Sequence, residues 1–271
     1  MSVSHYTLSC SAILLRKRFI RDLLLKNHRL KKDIKWVRSL HQKKFRLESN
    51  CFFVEGRKGV EEGLQSDFEL HSLYSTDADW LSSKSNGILV NAREMEQMSC
   101  LSTPSQHLAV FRKKESLVAW ELTPVVLILD GIADPGNLGT IVRTADWFGI
   151  SSLVCTHDCV ELYNPKVVQA TMGSIFRMNV ASMGEEQIAK EIRTNNFYTI
   201  AADLGGTSLY EFDFNRRLAM VIGSESHGVR AAMRTIADEC VTVPRFGEAE
   251  SLNASMAATL FMSEYRRVFK G

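Results

Sequence analysis

The sequence predicts an α/β protein in two parts: a C-terminal half around a parallel sheet, and a smaller N-terminal αβα unit. Three observations predict it. From Val125 onward, short runs that are apolar on both alternations, as strands covered on two faces must be, alternate with helical stretches. Three of these runs end in loops of small residues that lead into a helix. Between residues 27 and 112, strand and helix signals alternate at shorter intervals, and the pattern lapses over residues 113–124.

Taken in order, residues 1–26 fit no element of the following unit and read as an N-terminal extension. His28 to Phe45 places Leu30, Ile34, Val37 and Leu40 at helical spacing. The other faces of that helix carry Lys31, Lys32, Lys35, Arg38, Lys43 and Lys44, with Arg46 just beyond. Strands are expected at 51–54, 69–74, 87–90 and 107–111, with helices at 57–64, 78–82 and 92–100. The linker is placed at 113–124 and the second unit at 125–271. There, strands are expected at 125–129, 152–155, 175–180, 198–202, 218–222 and 241–243. Helices are expected at 138–148, 165–172, 185–195, 229–236 and 252–269. The last is apolar nearly all round (Met256, Ala257, Ala258, Leu260, Phe261, Met262), which suits close packing against another helix or a second subunit.

At 271 residues, 45% apolar and 24% charged, the chain has the composition of a globular protein with room for two cores. The net charge of +2 hides an asymmetry. Between Arg16 and Arg46 there are thirteen Lys or Arg against Asp22 and Asp33, so the remainder is net acidic. A basic N-terminal region on an acidic body is an electrostatic footprint for a polyanion such as RNA. The six cysteines show no repeated spacing. Cys155 and Cys159 lack a second ligand pair, so no metal is expected. No apolar run reaches the ~18 residues of a membrane span, and the chain reads as cytoplasmic with no membrane partner.

The three loops hold the chemistry, because open α/β sheets collect ligands at the carboxyl ends of their strands. In the first, Gly131 to Gly139, Asn137 sits where a helix N-cap belongs, and Arg143 lies off the apolar stripe of Leu138, Ile141, Val142 and Ala145 with room to reach a phosphate. The second, Gly223 to Gly228, lacks the spacing of a dinucleotide fingerprint or a P-loop, and its Glu225 suits a ligand with hydroxyls and a positive centre. The third runs from Val243 and Pro244 to Ser251-Leu252-Asn253. Ser251 reads as an N-cap there, and Asn253 and Ser255 put more polar groups at a buried helix start than capping requires.

Asp134-Pro-Gly-Asn-Leu-Gly-Thr-Ile-Val-Arg-Thr-Ala145, Ile222-Gly-Ser-Glu225 with Gly228, and Val243-Pro244 through Glu250-Ser-Leu-Asn253 resemble the three ordered motifs of the SpoU-type RNA ribose 2′-O-methyltransferases of the SPOUT superfamily. The likeness covers roughly residues 124–270. Residues 28–111, opening on Lys43-Lys-Phe-Arg46 and Phe53-Val-Glu-Gly56, resemble that family's substrate-binding domain. The resemblance implies S-adenosylmethionine as methyl donor, an α/β trefoil knot and a homodimer. It implies a catalytic set of Asn137, Arg143, Glu225, Ser251 and Asn253. Donor contacts would come from Ile222, Gly223, Gly228, Val243, Pro244 and Leu252, with Thr171, Gly173 and Leu204 as further walls. RNA would be gripped by Lys31, Lys35, Arg38, Lys43, Lys44 and Arg46, and ribosomal RNA is favoured over transfer RNA because the extra domain suits a structured substrate. Two departures, Ser226-His227 and Arg245, leave these contact positions in place. The rival reading is a non-catalytic RNA-binding protein on the same fold, which would have no chemistry to constrain the catalytic set. An oxidoreductase would need a Gly-x-Gly fingerprint near the first strand, and none is present.

Overall fold

The computed structural model describes residues 30–115 and 118–269. The 1–26 extension and the basic residues before Leu30 lie outside the described residues.

The first unit contains α1 (30–39), α2 (Lys43–Ser49), β1 (Cys51–Glu55), α3 (Arg57–Gln65), β2 (Leu70–Ser75), α4 (Ala78–Ser82), β3 (Gly87–Leu89), α5 (Ala92–Met98) and β4 (His107–Arg112). Its sheet order is β1-β4-β2-β3, with β4 antiparallel to both neighbours and β2 parallel to β3. The long helix expected over 28–45 is two helices, because the chain turns at 40–42. The turn keeps Leu40 buried and brings the Arg46 side chain beneath it, where its Nη1 donates to the carbonyls of Leu40 at 2.8 Å and His41 at 2.9 Å.

The second unit contains β5 (Val125–Asp130), α6 (Pro135–Trp147), β6 (Ser152–Thr156), α7 (Pro165–Thr171), a 3₁₀ turn (Ser174–Phe176), β7 (Asn179–Met183), α8 (Glu185–Thr194), β8 (Tyr198–Ser208), β9 (Leu218–Gly223), α9 (Ala231–Thr235), β10 (Glu239–Thr242) and α10 (Ala254–Val268). The sheet is parallel throughout in the order β10-β8-β9-β5-β6-β7. Every residue of β5 and β6 is buried, as expected where α6, α7 and α10 cover one face and α8 and α9 the other. Inserting β9 between β5 and β8 sets the carboxyl ends of β5, β9, β8 and β10 side by side, and these are the ends that carry the three loops.

The expected strand at 175–180 is replaced by the 3₁₀ turn followed by β7. Ile175 and Phe176 point away from the parallel sheet into a cluster with Phe52, Val54 and Phe111 of the first unit. Their apolarity signals the junction between units, and alternation along the chain cannot separate that from a strand. The stretch placed as a linker is also not a bare tether, since Val118 and Trp120 are buried in the core of the second unit.

Polar contacts complete the junction. Arg46, 2% exposed, donates from Nε to Glu161 Oε2 at 3.1 Å, and Lys113 Nζ reaches Glu161 Oε1 at 2.7 Å. Arg46 is therefore an internal pin, and its expected role in RNA binding is withdrawn. Burial alone would raise the Glu161 carboxyl, but hydrogen bonds and charge from Arg46 and Lys113 overcome this and hold it below its ordinary value of 4.5. A depressed carboxylate contributes stability that is complete above its unfolded pKa and lost as pH falls through the folded one. Glu161→Gln is therefore expected to lower the melting temperature at neutral pH. The difference from wild type should shrink as pH falls below 4.5; a pH-independent difference would count against the pin.

Candidate functional site

Asp134 caps α6, its carboxylate accepting from the Asn137 backbone N–H at 2.8 Å, and Pro135 starts the helix. The expected cap, Asn137, lies inside the first turn, so its side chain is free for other work. The turn is drawn tightly to α7, since a Cβ on Gly139 would stand 2.7 Å from the Val167 carbonyl oxygen. Further along, Arg143 is exposed and makes no hydrogen bond or ion pair among the described residues. An uncommitted guanidinium beside a polar loop is available to an incoming anion.

The second loop leaves β9 at Gly223 and folds back on itself, with a bridge between Ser224 and Gly228 and a Gly228 N–H to Ser224 carbonyl bond of 2.9 Å. A side chain at Gly223 would place Cβ 2.0 Å from the Gly228 carbonyl carbon and 2.2 Å from the Val229 nitrogen. Only glycine permits this approach. Beyond the loop, Arg230 donates from its backbone N–H to Asp130 Oδ2 and from Nε to Asp130 Oδ1, both at 2.8 Å. Asp130 is fully buried at the end of β5, and Arg230 also pairs with Asp158 and Glu185. This clamp ties the second loop to the strand that launches the first. Removing the arginine would leave a buried carboxylate unpaired, typically a loss of about 3–5 kcal/mol.

The third loop spans residues 243–253 and is mostly exposed, with Arg245 Nη1 reaching the Ala249 carbonyl at 3.4 Å. It ends at Asn253, which caps α10 in place of the expected Ser251. Asn253 Oδ1 accepts from the Ser255 N–H at 2.9 Å and the Ser255 hydroxyl at 2.6 Å. Ser251 is left exposed at the cleft.

One hydrogen-bonded chain joins the three loops. Asn253 Nδ2 donates to Asn137 Oδ1 at 3.0 Å, and Asn137 Nδ2 in turn donates to Glu225 Oε1. Glu225 Oε1 also lies 3.4 Å from the Ala254 N–H at the start of α10. Beside the chain opens a cleft of ≈ 690 Å³. Its floor is apolar (Ile222, Val241, Leu260, Phe261), and its rim carries Glu225, Glu250, Asp203, which Arg234 pairs, the cation Arg245 and the polar backbone of 243–252. Its size suits a small molecule. Acidic groups around an apolar floor fit a ligand with an apolar body, hydroxyls and a positive centre.

Of the expected donor contacts, Leu204, Ile222, Gly223, Gly228, Val243, Pro244 and Leu252 line this cleft. Thr171 and Gly173 do not. Thr171 is buried with its hydroxyl donating to the Val168 carbonyl at 2.7 Å, and Gly173 packs against Glu62 of the first unit. Their role as cleft walls is therefore corrected to packing around α7. Arg143 is not among the lining residues, as suits a group that would face a second substrate. The sequence reading missed Asp203, whose place depends on a bulge. Between Ala201, paired to Cys240, and Thr207, paired to Val241, five residues of β8 have no partner on β10, and three of them, Ala202, Asp203 and Leu204, line the cleft. The pair Gly205-Gly206 was the available signal. Asp130 and Arg230 were also missed, since nothing local links positions 100 residues apart.

Cys155 and Cys159 are hydrogen-bonding thiols: Cys159 Sγ donates to the Leu129 carbonyl and accepts from the Ile132 N–H, both at 3.2 Å. Among the described residues, no helix is long and apolar enough to cross a membrane.

Comparison with known proteins places this geometry. Residues 124–263 match the SpoU rRNA Methylase family, and residues 31–109 match the MRM3-like substrate binding domain. The chain is 30% identical over 238 residues to the 23S rRNA (guanosine(2553)-2′-O)-methyltransferase RlmP of Bacillus subtilis, covering 86% of this chain and 95% of that protein. It is 31% identical over 197 residues to the 23S rRNA (guanosine-2′-O-)-methyltransferase RlmB of Neisseria meningitidis, covering 72% and 76%. A crystal structure of an AdoMet-bound rRNA methyltransferase from Sinorhizobium meliloti superposes with a TM-score of 0.79 at 27% identity, covering 86% of this chain and 94% of that one.

Proposed function

Since the chain belongs to the SpoU rRNA Methylase family and is an S-adenosylmethionine-dependent RNA ribose 2′-O-methyltransferase, we propose that its reaction is carried by Asn137, Arg143, Glu225, Ser251 and Asn253. The observation that supports this most is the Asn253–Asn137–Glu225 chain, which fixes one residue of each loop relative to the others beside the cleft. S-adenosylmethionine, when bound, supplies a methyl carbon activated by its sulfonium. The cleft fits it: Ile222, Val241, Leu260 and Phe261 would receive the apolar body, and Gly223, Gly228, Val243, Pro244, Leu204 and Leu252 would close around it.

The chain's own work is to position a poor nucleophile. Arginine has a pKa above ~12 and is a strained choice of base. Arg143 instead orients the phosphate beside the target ribose and stabilises the oxyanion charge that develops as the 2′-OH passes its proton to solvent water and its oxygen takes the methyl from the sulfonium, which leaves as the neutral thioether. Ser251 holds the ribose from the cleft rim. Asn137 and Glu225 hold Asn253, and with it the start of α10, against the reacting sugar.

The division of labour follows the units: residues 27–112 grip RNA, 113–124 connect, and 125–271 bind the donor and react. Lys31, Lys35, Arg38, Lys43 and Lys44 are exposed and offer phosphate contacts, which position RNA without specifying its sequence. Ribosomal RNA is the substrate we favour, in line with the names of the relatives. We further assign the chain to the cytoplasm, the β9 insertion to the family's trefoil knot, and the active form to a homodimer. The dimer is supported by α10, where Met256 is 56% exposed outside the cleft lining, an apolar side chain for a second copy to cover. Acceptor comparison tests the ribose assignment. Ribosomal RNA should take labelled methyl from the donor, and single-stranded DNA copied from it, which lacks the 2′-OH, should take none. Equal labelling of the DNA would refute a ribose target.

A further inference from the structure

The first unit carries a feature that its exposed lysines do not explain. Between Leu70, paired with Phe111, and Ser72, paired with Val110, β2 advances two residues while β4 advances one, so His71 is the extra residue of a bulge. A bulge redirects a side chain out of the ladder. Here the exposed His71 ring lies against Trp36 of α1, with centroids 4.5 Å apart and planes inclined by 37°. Trp36 packs on the core of the unit, so the tryptophan is fixed and the imidazole forms the outer layer of the stack.

The fully exposed charge that α1 presents around this stack is basic. At about 100° per residue along α1, Trp36 stands at the edge of the buried arc of Ile34, Val37 and Leu40. One turn back on either side of it stand the exposed Lys32 and the half-buried Asp33, and the exposed Lys35 lies farther round on the solvent face. The nearby Glu69 is engaged by Arg112 Nε at 2.9 Å. A flat, exposed ring backed by tryptophan and bordered by uncommitted cations matches an unpaired nucleotide, whose base offers a π-face and whose phosphate offers a negative charge.

We propose that the Trp36–His71 pair is a stacking seat for one unpaired nucleobase of the RNA substrate, with Lys32 and Lys35 holding its flanking phosphates. The proposal rests on the RNA-methyltransferase reading and adds to it a requirement for a single-stranded nucleotide outside the methylation cleft. Base faces are hidden in a duplex, so the seat selects loops and bulges over continuous helix.

The test is fluorescence anisotropy of the full chain with a labelled, unstructured RNA oligonucleotide and with the same strand annealed to its complement, at several salt concentrations. His71→Ala should weaken single-strand binding about tenfold, the scale of one lost base stack. It should leave duplex binding, the salt slope and S-adenosylmethionine binding unchanged. His71→Phe, which keeps a ring, should restore single-strand binding. Lys35→Glu should weaken both RNA forms and reduce the salt slope by about one contact. Wild-type affinity in His71→Ala, or His71→Phe no better than alanine, would overturn the stacking seat while leaving the methyltransferase reading intact. A wild-type chain that binds neither RNA form would overturn both.

Discussion

Replacing Arg143 with alanine is expected to leave S-adenosylmethionine binding intact and to reduce methyl transfer by about 10²- to 10³-fold, the usual effect of removing one preorganised oxyanion contact. The separation follows from position. Arg143 is exposed on α6, has no partner among the described residues and does not line the cleft, so its loss removes no donor contact and leaves no buried group unpaired. Calorimetric titration of the donor together with single-turnover methylation measures both sides of the claim. A lost donor affinity would make Arg143 part of the donor site, and near-normal turnover would remove it from the reaction.

At Gly223, by contrast, donor binding and turnover are expected to fall together. A methyl group there would stand 2.0–2.2 Å from three backbone atoms of Gly228 and Val229, so no side-chain rotation can relieve it and the second loop must move. Overpacking commonly costs ~1–3 kcal/mol, occasionally more, and here the displaced loop is itself cleft wall. Gly223→Ala is therefore expected to weaken donor binding roughly ten- to hundredfold. Turnover should fall with it, because Glu225 would leave Asn137 and the Ala254 N–H at the start of α10. Wild-type donor affinity in this variant would mean that the cleft at the second loop is not the donor site.

The contrast between these two sites also shows what a linear sequence carries. The three loops were legible because each combines an apolar strand, small residues and a helix start within a dozen positions, so local chemistry reports the local fold. Their mutual arrangement was not. Asn137 was expected to cap α6 because the helix was expected to begin at residue 138; it begins at Pro135, which suits the first helical position behind the Asp134 cap, and this sends Asn137 to Glu225 instead. Asn253 displaces Ser251 as a cap in the same way. Arg46 looked like one more cation in a basic run until the turn at 40–42 buried it against Glu161. Ile175 and Phe176 looked like strand because burial at the junction between units has the same composition as burial in a sheet. For the two caps the missing information was which of several nearby polar residues starts the helix; for Arg46, Ile175 and Phe176 it was a contact between residues distant in the chain, which periodicity does not encode.

The central claim is methylation of a ribose hydroxyl, and transfer of labelled methyl from S-adenosylmethionine to total bacterial RNA, followed by alkaline hydrolysis, tests it most directly. Alkali cleaves RNA through the 2′-hydroxyl, so a methyl on that oxygen blocks cleavage at its own nucleotide. Label retained in uncleaved dinucleotides is the predicted result. Label in mononucleotides would place the methyl on a base and contradict the account.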